Sequence, residues 1–115
     1  VTTTEYRPPG STVKVYLRAQ NQFDSQAFKE VPWIELENFE GSDISSSISD
    51  IGDYREFGYR LPETEKDAAG RYSYTSNTGN RLYQGYRRFA IKIEMISPNV
   101  HTAPTLRDYR AIAIT

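Results

Sequence analysis

The residues that could do chemistry are few and scattered. His101 is the single histidine. It lies between the Pro98-Asn99 turn and Pro104, and no carboxylate or second histidine stands at the spacing a general base or metal site needs. It reads as a loop residue. Cysteine is absent, which removes thiol nucleophiles, disulfides and Cys-ligated zinc. No serine sits in a G-x-S-x-G context. Carboxylates gather at Glu35, Glu37, Glu40 and Asp43, and again at Asp50 and Asp53. Such groups could flank a glycosidic bond or hold calcium. None forms a D-x-D-x-D-G loop, and Glu35 and Glu37 share a strand face, as solvated carboxylates do. The sequence predicts no enzyme: no catalytic residue, no cofactor and no metal, so a protein that works by binding or building.

Binding chemistry is better represented. Arg71, Arg81, Arg87 and Arg88 interleave with Tyr72, Tyr74, Tyr83 and Tyr86, and Lys14, Tyr16 and Arg18 make a similar stripe. Rings beside guanidinium groups can grip bases or sugars. The same residue types also suit β surfaces and are enriched in protein interfaces. With 14 basic and 15 acidic residues the net charge is -1, without the basic excess of a general phosphate-backbone binder. The interface reading is therefore preferred, with Tyr16, Arg18, Tyr83, Tyr86 and Arg87 as the candidate interface or ligand residues. A sugar is the alternative ligand, and nucleic acid is set aside.

The elements that must position these groups are strands. The chain has 115 residues, 37% of them hydrophobic and 13% aromatic, with nine Tyr and a mean hydropathy of -0.67. Leu is sparse, which counts against a helical bundle and for a core built from rings. One domain over residues 1–115 is expected, and no apolar run approaches the roughly 20 residues of a membrane-spanning helix. Alternation places Val13, Val15, Leu17 and Ala19 on one face of a strand and Lys14, Tyr16 and Arg18 on the other. Arg7-Pro8-Pro9-Gly10-Ser11 is a turn before it, and Thr2 to Tyr6 is the end of an earlier strand. Further strands are expected over Trp33–Phe39, Tyr54–Leu61, Arg71–Thr75, Phe89–Ile96 and Leu106–Ile114, with Asn77-Thr78-Gly79-Asn80 as a turn. Long loops cover Gln20–Pro32 and Gly41–Gly52, the second pinned by Ile44, Ile48 and Ile51. The expected fold is all-β: a two-sheet antiparallel sandwich, jelly-roll-like, with long loops. Its core takes Val13, Val15, Leu17, Trp33, Phe57, Tyr59, Phe89, Ile91 and Ile93. The closing segment has no fully polar face, so a strand covered on both sides is expected there, central or packed on a partner chain.

Both ends of the chain carry a pattern. Glu5-Tyr6-Arg7-Pro8-Pro9-Gly10 leads into Val13-Lys14-Val15-Tyr16. Later, Arg88-Phe89-Ala90-Ile91-Lys92-Ile93-Glu94-Met95 is followed by Pro104-Thr105-Leu106-Arg107-Asp108-Tyr109-Arg110-Ala111-Ile112-Ala113. Together they resemble a β-sandwich module of tailed-bacteriophage virion proteins, found in tail, baseplate and tail-fibre components. The resemblance implies a structural or attachment module of a larger virion protein, located in the phage tail. Its partners would be other virion proteins and further copies of itself in a trimer or hexameric ring, a host glycan being the alternative. Such modules begin with an extra strand before the Tyr-Arg-Pro turn, whereas here only Val1 to Glu5 precedes it. The chain is thus expected to be part of a larger polypeptide, with an open sheet edge where that strand would lie.

Overall fold

In the computed structural model, residues 1–21, 27–41, 45–47, 49–50, 52–62, 73–76, 79–82, 86–97 and 103–111 are described. Residues 21, 73–76, 79–82 and 86–87 are described by backbone alone. In chain order the strands are β1 (Thr2–Tyr6), β2 (Thr12–Asn21), β3 (Ile34–Glu35), β4 (Glu37–Glu40), β5 (Arg55–Arg60), β6 (Ser73–Ser76), β7 (Gly79–Leu82), β8 (Tyr86–Ile96) and β9 (Thr105–Arg110). One turn of 3-10 helix, Phe28–Glu30, precedes β3. Four strands form one sheet in the order β4-β5-β1-β9, and three form a second in the order β3-β2-β8. The strands β6 and β7 make a separate hairpin, and every pairing is antiparallel. This is the expected all-β, two-sheet architecture.

The sheets meet through alternating side chains. Val13 and Val15 of β2, Phe57 and Tyr59 of β5, and Leu36 form the buried cluster, with Val1, Leu17, Leu61, Ile91 and Ile93 packed against it. The turn into β2 has the residues a type II turn demands. Pro9 presets φ at its second position, Gly10 takes φ 84° at the third, and the Ser11 N–H closes on the Pro8 carbonyl at 3.1 Å. β2 then pairs with β8 from Thr12↔Ile96 to Gln20↔Arg88, before a register shift at Asn21.

Five expectations are corrected. The segment Trp33–Phe39 is not one strand. It splits at Leu36, β3 pairing with β2 in one sheet and β4 with β5 in the other. The Leu36 N–H bonds the Val15 carbonyl at 2.8 Å while its side chain enters the core, so the chain changes sheets at a residue anchored in the core. Trp33 is half-buried and lies outside the core cluster. The register Leu17↔Ile34 and Tyr16↔Glu35 extends to place Trp33 opposite Arg18, on the outer face of β2. Phe89 shares a face with Ile91 and Ile93 yet is 41% exposed, because β8 is an edge strand and the core is centred farther along it. The closing strand is no central strand among the described residues: β9 is the edge of the four-stranded sheet, and Tyr109 is 56% exposed. The core cluster draws no residue from β9. Nor is an edge left open at the N-terminal strand, since β1 pairs with β5 on one side and β9 on the other.

The expectations for Ile44, Ile48, Ile51, Arg71, Tyr72, Asn77, Thr78 and His101 lie outside the described residues.

Gly41, just after β4, has φ 85°, and a Cβ there would come within 2.8 Å of the Phe57 ring and 3.0 Å of the Glu56 carbonyl. Gly41→Ala is expected to destabilise the fold by about 1–3 kcal/mol through backbone strain and displacement of the core ring. Urea unfolding followed by tryptophan fluorescence measures this, and an unchanged midpoint would show that Phe57 can yield.

Candidate functional site

Two polar constructions stand out, one inside the sandwich and one on its outer face. The inner one begins with Glu5, whose position opposite Arg55 on β1 gives it the parity of Thr3 and of the core-facing Phe57. Glu5 is fully buried, at 0% exposure. A buried carboxylate needs partners on all its lone pairs, and it has them. Oε1 accepts from Arg7 Nη2 at 3.0 Å and Nε at 3.2 Å. Oε2 accepts from the Tyr59 hydroxyl at 2.8 Å and from the Thr3 hydroxyl. Arg7 also donates to the Tyr59 hydroxyl, and its guanidinium lies 4.0 Å over the Phe57 ring. In the amide orientation that satisfies both of its ends, Asn38 of β4 accepts from Arg7 Nη1 at 3.0 Å and donates to the Gly58 and Glu40 carbonyls. Burial, reinforced by the Glu5 charge and the hydrogen bond to it, drives the Tyr59 hydroxyl far above the ordinary tyrosine range.

The outer construction is a ladder of cations and rings across the β3-β2-β8 sheet. Arg88 lies 4.8 Å over Phe28, Arg18 lies 5.7 Å over Phe28 and 4.3 Å over Trp33, and Lys92 lies 4.9 Å over Trp33 and 4.5 Å over Tyr16. Strand alternation explains it: Tyr16, Arg18, Lys92 and Arg88 share the outer face, and the segment through Phe28 and Trp33 supplies the rings between them. Such stacks contribute about 0.5–2 kcal/mol each, more when desolvated. The Tyr16 hydroxyl donates to Glu94 Oε2 at 3.2 Å. Partial desolvation, then the carboxylates of Glu94 and Glu35, push its pKa above the usual tyrosine value. Arg88 Nε donates to Gln20, which is itself fully buried.

Of the five residues singled out in the sequence, Tyr16 and Arg18 are brought together in this ladder. Tyr83 lies outside the described residues, and Tyr86 and Arg87 are placed on β8 by backbone alone. Sequence reasoning missed Glu5, Arg7 and Tyr59 as a unit. The Glu-x-Arg spacing was visible, but the partner hydroxyl is 54 residues away.

A polar depression on the outer face of the four-stranded sheet is lined by Thr2, Thr4, Glu56, Asp108, Tyr109 and Arg110. It carries two carboxylates, but its volume of about 40 Å³ is far below that of a small-molecule pocket. Among the described residues no group of three His, Cys, Asp or Glu is placed to hold a metal ion, and no helix is long and apolar enough to cross a membrane. No known family, no curated protein and no solved structure matches the chain.

Two outcomes follow from the inner network. Arg7→Met leaves the Glu5 charge buried without its cation and is expected to cost about 3–5 kcal/mol, with Glu5→Gln in the same chain recovering part of the loss. Denaturant titration of the single and double variants measures both. Alkaline pH supplies the second. With its folded pKa raised above the ordinary 10.0, Tyr59 contributes stability that is complete below pH 10 and declines as pH rises beyond it. Tyr59→Phe should flatten stability against pH between about 9.5 and 11 relative to the parent, and parallel curves would show that other groups govern the alkaline limit.

Proposed function

We propose that this domain is a non-enzymatic docking module, a structural or attachment part of a phage tail, baseplate or fibre protein that acts through protein–protein contacts. The virion setting rests on the resemblance of the two chain ends. The observation that carries the docking reading is the disposition of exposed apolar side chains on edge strands. Phe89, Met95 and Ile96 on β8 are 41%, 50% and 49% exposed, and Tyr109 on β9 is 56% exposed. Among the described residues both strands are edges of their sheets. An unpaired edge offers a row of backbone donors and acceptors, and apolar side chains beside it supply the desolvation that strand addition requires.

The glycan reading is second. A sugar platform needs free ring faces, and the candidate ring Tyr16 already carries Lys92 4.5 Å over its centroid.

Co-sedimentation of the purified chain with the remainder of its parent particle tests the proposal. The chain is expected to bind, and Met95→Lys combined with Tyr109→Lys to weaken binding by at least about tenfold, as burying charge in an apolar contact does. A chain that ignores the particle and instead binds a soluble polysaccharide saturably would overturn it.

A further inference from the structure

The orientation of the backbone along β8 follows from one bond. The Val15 carbonyl accepts from Leu36 N–H, on the β3 side of β2. In an antiparallel ladder a residue directs its N–H and C=O to the same side, so Val15 gives neither to β8. Its partner Ile93 therefore turns both groups toward the other edge of β8, and by alternation so do Phe89, Ile91 and Met95. Among the described residues no strand pairs with that edge. The groups aimed outward are thus those of the apolar positions, while Arg88, Ala90, Lys92 and Glu94 face the solvent side with their backbones bonded to β2.

Around Ile91 the strand is self-complementary. An antiparallel copy centred there overlaps all 11 residues of Tyr86–Ile96. Ile91 meets Ile91, Phe89 meets Ile93, and Arg88 meets Glu94 twice, once on each side of the two-fold axis. The charged pairs fall at non-hydrogen-bonded positions, where opposed side chains come closest. Neighbouring registers are worse. Centring on Lys92 opposes Lys92 to itself, centring on Ala90 opposes Arg88 to Lys92, and centring on Ile93 leaves residues 86–89 without partners.

Resting on the docking reading above, we propose that β8 is the site where a second copy of this chain adds, antiparallel and centred on Ile91, joining two three-stranded sheets into one of six. The two side chains that would pair are exposed. Arg88 stacks on Phe28 and uses Nε on Gln20 at 3.1 Å, while Glu94 accepts from Tyr16 at 3.2 Å through Oε2 and meets Lys92 at 3.8 Å through Oε1. A guanidinium with five N–H donors and a carboxylate with about four lone-pair sites each retain capacity for a further partner. The contact is isologous and closes on itself. It therefore gives a dimer or the two-fold step of a dihedral hexamer, and not a trimer alone.

Sedimentation velocity of the chain over a concentration series tests this with a charge swap. Arg88→Glu and Glu94→Arg each turn both attractive pairs repulsive and should raise the dimer dissociation constant at least about tenfold, while the double variant R88E/E94R restores it. Near-ultraviolet circular dichroism confirms that each variant keeps its fold. A dimer indifferent to all three variants would overturn the β8 pairing and leave the docking reading standing. A chain monomeric at every concentration would also overturn the pairing. If that monomer also fails to bind the particle, the docking reading falls with it.

Discussion

The structure depends first on a buried carboxylate. Glu5 is fully enclosed, and an ionised group in that position is tolerated only when its partners are held in place around it. Those partners come from different parts of the chain: Thr3 from the same strand, Arg7 from the start of the turn, and Tyr59 from β5. Asn38 of β4 then bonds the far side of Arg7. The Arg7 backbone is tied in turn to Ser46, its N–H donating to the Ser46 hydroxyl at 2.9 Å and its carbonyl accepting the Ser46 N–H at 2.7 Å. One charge thus constrains β1, β4, β5 and the loop between the last two. An apolar residue at Glu5 could fill the same space without that directionality. The carboxylate specifies which hydroxyl and which guanidinium must arrive.

This arrangement also explains how a rather polar chain closes its sandwich. Among the described residues, Val13, Val15, Leu36, Phe57 and Tyr59 make the buried cluster, a small apolar contribution for two sheets. Phe57 and Tyr59 serve both systems. The Phe57 ring packs in the core while its face receives Arg7, and Tyr59 buries its ring while its hydroxyl joins Glu5. The aromatic composition is used for residues with an apolar body and an electron-rich or polar handle. The same logic recurs outside, where Phe28, Trp33 and Tyr16 alternate with Arg88, Arg18 and Lys92.

Much of the fold was legible because strand alternation is a local signal. β2 and β8 occupy the segments their alternation predicts, and the Pro9-Gly10 turn between β1 and β2 needs no tertiary information. What was not legible is which sheet a strand joins and how far the core extends along it. Trp33–Phe39 alternates as one strand, and nothing in that pattern marks Leu36 as the point where the chain passes from one sheet to the other. Trp33 has the apolar bulk of a core residue, but it shares the parity of Glu35, and only the register, which sets Glu35 opposite Tyr16, shows that this parity faces outward. Phe89 and Tyr109 have the alternation of core residues, but they sit on edge strands. Edge position is a property of the whole sheet, invisible in any window of sequence. The inner network was hidden for a related reason: a buried Glu looks like any surface Glu until its partners are known.

The two polar systems divide the molecule in a way that bears on its use. In the four-stranded sheet, the charged groups of the inner network are directed inward and mutually satisfied, leaving no unpaired polar group there, among the described residues, to bind a partner. In the three-stranded sheet, β2 is held on one side by β3 and on the other by β8, the longest strand described, whose outer edge is unpaired among the described residues. Natural proteins usually blunt such an edge with inward-pointing charges, proline or a bulge. Along Phe89–Ile96 the inward positions are Phe89, Ile91, Ile93 and Met95, no proline interrupts the run, and the register with β2 is unbroken. Within Phe89–Ile96 the charges, Lys92 and Glu94, lie on the opposite face with Arg88 beside them, where they can select a partner strand without opposing its approach. An edge left this regular, on a sheet whose other strands are fixed, is suited to strand addition.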